Sequence, residues 1–248
     1  MRLTHAIRRP ADPNESTSSF DLSISDLMTG LLMLFILLLM GVLLTLQQQR
    51  ETYFEINKKA KNYLDLRNEL YEELKIEFSD EMKEWNAVLD SETLSFRFIN
   101  AQDETLGNVY FRPNSQVLEP IFENVLNDFF PRFVNIIYKP KYRKFITEIR
   151  IEGHAVNWLD KYEYNYLMNY SQVRANNVLR FVHGNRILTT DQRVWLEEKF
   201  AANGFGSSRP IYRDDGILDD VKSRRVEFRI ITDAERKIQE IYNFEQEN

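Results

Sequence analysis

The sequence contains no cysteine and only three histidines. Without cysteine the chain forms no disulfide bond, which is compatible with an oxidising compartment and equally with the cytosol. No nucleophile–base–acid set and no metal-ligand spacing is visible, so we expect neither an enzyme nor a bound metal or other cofactor. The net charge of −6 argues against nucleic-acid binding by the chain as a whole.

Charge is also absent from one long stretch, Leu27–Leu46. About 20 apolar residues are enough to cross the hydrocarbon core of a bilayer. The stretch starts late, is too long for the apolar part of a signal peptide, and is followed by no small-x-small cleavage site. We therefore predict an uncleaved transmembrane helix over 23–46.

The direction of the span is not decided by basic residues. Arg2, Arg8 and Arg9 precede it, and four basic residues between Arg50 and Lys61 follow it, so the positive-inside rule favours neither side. A short tail before the span and a large domain after it favour a cytoplasmic N-terminus.

The rest of the chain divides by composition. Residues 1–22 are polar and predict a flexible cytoplasmic tail. Residues 47–92 lack proline and glycine and predict a helical stalk, either docked on its own domain or paired with a second copy. Its apolar residues recur every three or four positions: Tyr53, Ile56, Ala60, Tyr63, Leu66, Leu70, Leu74, Phe78, Met82 and Trp85.

Residues 93–234 alternate between strand and helix patterns, and 235–248 predict a C-terminal helix. We predict strands at "LSFRFIN" and "KFITEIRIEGHA", because apolar residues alternate there, a strand and turn at "NVYFRPNSQVL", and a final strand at "SRRVEFRIIT". Helices are predicted at "PIFENVLNDFFPRFVNIIY", with Pro131 a candidate break, at "YNYLMNYSQVRANNVLRFVHG" and at "TDQRVWLEEKFAANG". Gly184 is the expected end of the second helix, and Thr190 or Asp191 and Gly204 bound the third. The order β-β-α-β-α-α-β predicts an α+β sandwich with a small mixed sheet.

Asp26 lies just inside the start of the apolar run. A carboxylate at membrane depth is unfavourable by about 2.5–3.5 kcal/mol, and such groups usually face a bundle interior or a water path. Burial favours the protonated form of the carboxyl group, and contact with water favours its charged form, so Asp26 can carry an ion by changing between them. Thr29 lies nearly one turn away and can hydrogen-bond the same path. Alternatively Asp26 only begins the helix, where the dipole favours negative charge. Asp21 is a second, more solvated candidate.

Several motifs resemble known families. "ISDLMTGLLMLFILLLM" resembles the membrane span of MotB-type stator subunits. "IEGHA", "YSQVRANNVL", "GFGSSRP" and "KSRRVEF" resemble motifs of the OmpA-like peptidoglycan-binding domain. The tail, the charged stalk and "FDLSISDLMTGLL" are most similar to the B subunits of Zorya anti-phage systems.

The resemblance implies a peptidoglycan site in the α+β domain. Arg174 matches the arginine that grips a stem-peptide carboxylate, although a surface arginine at the sheet edge is the alternative. Arg224 and Arg225 match an arginine pair of which one member anchors the floor of that site, and Arg225 is the candidate; a strand with alternating exposure is the alternative. Tyr170, Asn157 and Asp160 are the further candidates for contact with peptidoglycan.

The motif is incomplete. Val156 and Asn157 stand where the family has its aspartate after the histidine, and Leu167 stands where it has asparagine. The domain therefore binds wall weakly, binds a variant wall, or only dimerises. We expect His154 to be structural, satisfying a loop carbonyl, with contact to the ligand as the alternative.

The resemblance also implies a function and partners. The expected protein is a single-pass stator subunit of the bacterial inner membrane with a periplasmic domain. It would couple ion flow, by default of protons, to torque in a MotA/ZorA-like multi-span ring that surrounds a homodimer of this chain, in contact with membrane lipid. The alternatives are a flagellar MotB-type stator, a passive wall-binding anchor, or a TolR-like or ExbD-like energiser, against which the full OmpA-like domain argues.

Overall fold

The structure is a computed structural model that describes residues 14–101, 108–156, 163–184 and 186–233, with side chains from residue 25 onward apart from 59 and 60. The chain divides into two units, one ending at Asn57 and the other beginning at Lys58. The predicted helix over 235–248 and residues 1–13 of the predicted tail lie outside the described residues.

The first element is the helix α1, Asn14–Glu77. It begins within the segment predicted as a flexible tail. In the first unit its large apolar side chains are exposed throughout Leu27–Leu46. The segment Ser25–Glu77 contains a window of mean hydropathy 2.8 and is long and apolar enough to cross a membrane.

The second unit contains a five-stranded sheet with the strand order β1-β2-β5-β3-β4. Its strands are β1 (Ala87–Asp90), β2 (Ser95–Ile99), β3 (Ile146–His154), β4 (Phe200–Gly204) and β5 (Arg225–Thr232). Its further helices are α2 (Glu81–Glu84), α3 (Pro120–Ile137), α4 (Pro140–Arg143), α5 (Tyr164–His183), α6 (Thr190–Lys199) and α7 (Asp220–Ser223). Strands β3 and β4 are parallel and the other pairs are antiparallel. The predicted α+β class with a small mixed sheet is confirmed.

The sheet has two chemically different faces, because successive side chains of a strand point to opposite sides. One, the core face, carries Phe96, Phe98, Ile151 and Phe228, with Phe96 and Ile151 both opposite Phe228 in register. The other, the ionic face, carries charged side chains in the alternate positions. Its members include Arg97, Arg150, Glu152, His154, Arg225, Glu227 and Arg229.

Helix α3 packs its aromatic side on the core face. The Phe129 ring centroid lies 5.0 Å from those of Phe96 and Phe98 and 5.2 Å from that of Phe228. Rings at such separations in edge-to-face arrangement stabilise a core beyond their buried area. Pro131, the candidate break, lies inside α3, which continues to Ile137.

The C-terminal part of α1 belongs to the second unit and packs in its hydrophobic core. Leu70, Leu74 and Phe78 have no exposed surface. Beside them Glu73 accepts a hydrogen bond of 2.8 Å from the Tyr142 hydroxyl and pairs with Lys139. For this segment the geometry favours the docked alternative; a paired stalk in a dimer stays a prediction.

Two predicted elements are wrong at their ends. The helix expected to continue to about residue 90 stops at Glu77, and β1 follows the positive-φ residue Asn86. The helix expected to end at Gly204 stops at Lys199, and its last residues form β4. Capping also moves by one residue, since the N-cap of α6 is Thr189, whose side chain accepts from Gln192 N at 3.2 Å.

Of the strand and turn predicted at residues 108–118, the strand is wrong, because this segment is irregular, whereas a turn is present at Pro113 and Asn114. The Asn100 side-chain oxygen accepts from the backbone nitrogens of Tyr110 and Phe111, both at 2.7 Å. A side chain thus takes the place of a ladder partner, which is how asparagine commonly competes with secondary structure.

Candidate functional site

Helix α5 lies unusually close to β3 and β4. A Cβ atom at Gly153 would lie 2.2 Å from the Ser171 carbonyl oxygen, and one at Gly204 would lie 2.3 Å from the Gln172 nitrogen. Only glycine permits this approach of helix and strand backbones. It brings one side of α5 next to the end of β3.

A cleft of about 330 Å³ opens at this place. It lies between α5, the residues that follow β3 and the irregular segment after β2. The lining residues are Asn100, Ala101, Phe111, Pro113, Asn114, Ala155, Val156, Tyr166, Leu167, Tyr170, Arg174 and Arg224. Apolar walls with few convergent polar groups are typical of ligand sites.

Arg174 is held firmly in the wall of the cleft and is only 7% exposed. Its Nε and Nη2 donate to the Ser115 carbonyl at 2.9 and 2.7 Å, and Nη2 also donates to Arg112 O at 3.1 Å. The guanidinium carbon lies 4.6 Å from the Phe111 ring centroid and 4.2 Å from that of Tyr170. Carbonyls and ring faces thus fix the fork in one orientation.

The electrostatics of Arg174 favour an anion. Within the described ranges, its guanidinium forms no ion pair with a carboxylate. Burial lowers the pKa of Arg174 to about 10, against opposing contributions from Tyr170, and nearby Arg224 lowers it further. Although Nε and Nη2 already donate to carbonyls and to Tyr170, a buried positive charge that forms no ion pair among the described residues favours an anionic ligand such as a carboxylate.

The predicted peptidoglycan residues divide into three groups. Arg174 and Tyr170 come together, since Arg174 Nη2 donates to the Tyr170 hydroxyl, which itself donates to Ser115 O at 2.9 Å. Arg225 does not line the cleft but pairs with Glu227 on the ionic face. Asn157 and Asp160 lie outside the described residues.

Sequence reasoning missed part of the cleft wall. Tyr166 stacks on Tyr170 with a centroid distance of 5.8 Å and lines the cleft. Its four-residue spacing from Tyr170, and that of Tyr170 from Arg174, marks one helix face and could have been recognised. The Ser115 carbonyl had no comparable signature, because a backbone acceptor is independent of residue type.

The predicted ion-carrying pair lies in α1. Asp26 is exposed in the single chain. The Thr29 hydroxyl donates to the Ser25 carbonyl at 2.7 Å, a bond within the helix. The two residues lie nearly one turn apart, and their role stays a prediction.

For His154, the predicted hydrogen bond to a loop carbonyl is wrong, while its structural role and the alternative of ligand contact stay predictions. Its side chain is buried, but neither ring nitrogen has a hydrogen-bond partner among the described residues, so it satisfies no described loop carbonyl. Its ring stacks on Phe205 at a centroid distance of 5.4 Å. Burial lowers the pKa of His154, although Glu152 opposes this effect.

The geometry defines a class of protein: one apolar helix fit to span a membrane, and an α+β unit with an arginine-walled cleft. No protein-family model matches the chain. It is 35% identical over 224 residues to the Zorya protein ZorB of Escherichia coli, across 88% of this chain and 90% of that protein. The chain belongs to the ZorB family.

Solved structures resemble the chain more weakly. A MotB-like protein from Desulfovibrio vulgaris gives a TM-score of 0.47 at 20% identity, across 70% of this chain and 95% of that one. The cell wall anchor of the type VI secretion system from Pseudomonas aeruginosa gives 0.42 at 17% identity, across 64% and 96%. The periplasmic domain of Helicobacter pylori MotB gives 0.38 at 19% identity, across 61% and 85%. Similarity at this level supports no functional conclusion.

Proposed function

We propose that the chain is a stator-type subunit of the bacterial inner membrane, in which Asp26 carries protons and the α+β unit holds peptidoglycan. The observation that carries the motor part is the carboxylate of Asp26, which lies inside the predicted span 23–46 directly before its uncharged stretch, in a ZorB family member. The MotB-type motif around Asp26, described above from the sequence, supports the same role.

The chemistry of Asp26 requires a partner. A lone carboxylate on an apolar helix is unfavourable in lipid and persists where it faces a bundle interior or water. One helix cannot enclose it, so we place two copies of this chain inside a ring of multi-span subunits. Each charge that crosses gains about 2.3 kcal/mol per 100 mV of membrane potential, which can bias a mechanical cycle. In this arrangement the N-terminus is cytoplasmic and the α+β unit periplasmic.

The anchoring part rests on Arg174. Its guanidinium has an oriented fork in the cleft wall and forms no described ion pair with a carboxylate. A stem-peptide carboxylate of peptidoglycan is the ligand that the OmpA-like motifs imply. Val156 and Leu167 line the cleft with apolar surface where the family motif has polar groups, so we expect weaker binding or a variant wall.

The biological setting that we propose is defence against phage. The E. coli relative carries the name Zorya protein ZorB, and it matches this chain over most of both lengths. Torque or a conformational signal in the ring would then be the output of proton flow.

The motor part is tested by replacing the carboxylate. In cells that carry this gene with its membrane partner, Asp26→Asn is expected to abolish phage protection, while the partner still co-purifies with the variant. Asp26→Glu, which keeps a titratable carboxyl, should retain part of the activity, and Asp21→Asn should behave as wild type. Full protection by Asp26→Asn would reject proton coupling and leave a passive anchor.

The anchoring part is tested separately with purified cell-wall sacculi. Arg174→Ala is expected to lose sedimentation with sacculi, whereas Arg180→Ala, an exposed arginine on the same helix, should sediment as wild type. Equal sedimentation of the two variants would reject the cleft as the wall site. Circular dichroism of both variants checks that the domain remains folded.

A further inference from the structure

Three side chains that commonly bind metals converge on the ionic face of the sheet. Glu152 of β3 lies directly opposite Glu227 of β5, and His154 follows two residues later on the same face. His154 Nε2 lies 3.6 Å from Glu152 Oε2 and 3.6 Å from Glu227 Oε1. One ligand atom from each residue lies within 4.8 Å of the others, and all three residues are buried.

Several polar atoms around this cluster have no hydrogen-bond partner in the part of the chain that the structure describes. They are both ring nitrogens of His154, Oε1 of Glu152 and Oδ1 of Asn203. Asn203 lies opposite Glu152 on β4, so Asn203, Glu152 and Glu227 form one row across three strands. Buried polar side-chain atoms are nearly always satisfied, and unsatisfied acceptors gathered in one place suggest a missing ligand.

We propose that Glu152, His154 and Glu227 bind a divalent transition-metal ion, for which zinc is the best match. One imidazole nitrogen and two carboxylates are a ligand set that zinc accepts. Zinc–nitrogen and zinc–oxygen bonds of about 2.0–2.2 Å in a tetrahedron place ligand atoms roughly 3.3–3.6 Å apart. The observed 3.6 Å separations therefore need little adjustment. The unpartnered Oε1 of Glu152 can complete the coordination as a second oxygen of the same carboxylate.

The arginines nearby leave room for the ion. Arg209 donates to Glu152 Oε2 at 3.3 Å but is itself 44% exposed at the side chain, so it can turn to solvent. Arg225 pairs with Glu227 and also donates to the Ser223 carbonyl at 3.2 Å. It stays in place as a donor that orients the metal-bound carboxylate, a common second layer around metal sites. Arg97 is the third cation: its Nη1 pairs with Asp90 at 2.9 Å, and its Nε lies 3.5 Å from Glu227 Oε1, a longer contact that the ion would replace.

The imidazole of His154 adds a nitrogen to the ligand set, and the neutral imidazole is the form that binds metal ions. An imidazole ligand also favours zinc over magnesium or calcium, which prefer oxygen.

The site has a structural consequence for the cleft. The residues directly after His154, Ala155 and Val156, line the cleft. An ion that joins β3 to β5 at Glu152 and His154 would fix the strand end from which these residues continue. The metal would thus stabilise the cleft without touching its ligand.

The test uses the full chain without an affinity tag, purified in detergent, stripped with EDTA and then incubated with zinc chloride alone. Zinc retained after gel filtration is measured by mass spectrometry, and thermal unfolding is followed with and without zinc. We expect one zinc per chain and a rise in Tm of roughly 5–10 °C at zinc a hundredfold above Kd. His154→Gln should lose both effects, while His183→Gln, which removes an exposed histidine paired with Glu197 at 2.8 Å, should keep them.

The proposal is overturned if wild type retains no zinc and shows no shift in Tm, or if His154→Gln retains as much zinc as His183→Gln. A water molecule or a proton shared by the cluster would give the first of these results. If His154→Gln does not fold, cobalt(II) is added to the EDTA-stripped wild type instead. Visible absorption bands of tetrahedral cobalt would support the metal site, and their absence would overturn it.

Discussion

Leu74→Ala tests whether the C-terminal part of α1 belongs to the folded core of the second unit. Leu74 has no exposed surface and lies in α1 between Leu70 and Phe78, which are equally buried. Truncation of a buried leucine to alanine destabilises a domain by about 2–5 kcal/mol, depending on how far the cavity collapses. The neighbours here include large aromatic rings in the interlocked core around Phe78 and Phe129. We therefore expect limited collapse and a loss in the upper half of that range.

Ile76→Ala is the matched control. Ile76 lies two residues away on the same helix but is 74% exposed, so its truncation should change stability by less than about 0.5 kcal/mol. Because alanine is a strong helix former, a change in helix propensity cannot explain a loss of stability in Leu74→Ala. Urea unfolding of the full chain in detergent measures the stability of both variants. Tryptophan fluorescence can follow it, because Trp85 is buried beside Phe78, with a distance of 5.9 Å between the ring centroids.

If the unfolding free energies of both variants lie within about 0.5 kcal/mol of the wild-type value, the docked arrangement is contradicted. The segment around Leu74 would then behave as a stalk that is independent of the sheet, and its apolar stripe would need a second copy as partner.

Three further outcomes are expected. Gly153→Ala places a Cβ atom 2.2 Å from the Ser171 carbonyl, so α5 must move; we expect a loss of at least about 1–3 kcal/mol in urea unfolding and weaker binding to sacculi. Tyr170→Phe removes a hydroxyl that donates to a loop carbonyl at 2.9 Å; we expect a loss of about 0.5–1.5 kcal/mol, and an unchanged unfolding midpoint would contradict that bond. Burial opposes ionisation of Glu227, but the nearby positive groups, with Arg225 first among them, together more than offset it and hold the pKa of Glu227 below its usual range. The contribution of the Glu227 carboxylate to stability is therefore complete above the ordinary carboxyl pKa of about 4.3 and is lost as pH falls through the lower folded-state value. Between pH 5 and 3 the free energy of unfolding should then depend less on pH in Glu227→Gln than in wild type. Parallel curves of unfolding free energy against pH for the two proteins would refute this.

The strands of the second unit were predictable where one face is strictly apolar. "SRRVEFRIIT" alternates from Val226 to Ile230 and "KFITEIRIEGHA" from Glu148 to Glu152, and they form the central strands β5 and β3. Strand β4 was hidden because "FAANG" is short and continues a helical pattern. It forms because its backbone pairs with β3 and because Gly204 lets α5 approach, and both are tertiary effects that local pattern does not contain.

The candidate site was predictable in its side chains and not in its surroundings. Arg174 and Tyr170 were chosen from a motif, and the structure brings them together in the wall of one cleft. The carbonyl of Ser115, which orients both, comes from a segment that was mistaken for a strand. Arg225 was assigned to the same site through its motif, but strand alternation directs it to the ionic face, away from Arg224.

The two faces of the sheet also act as a check on folding. A slip of one residue between β2 and β5 would bring Phe228 opposite Arg97 and Glu227 opposite Phe98, since Arg97 is opposite Glu227 in the native register. Every side chain of the slipped strand would change face, so charges would enter the aromatic core and rings would enter the ionic layer. A slip of one residue is therefore unfavourable on both faces of the sheet at once, so the native register is specified twice.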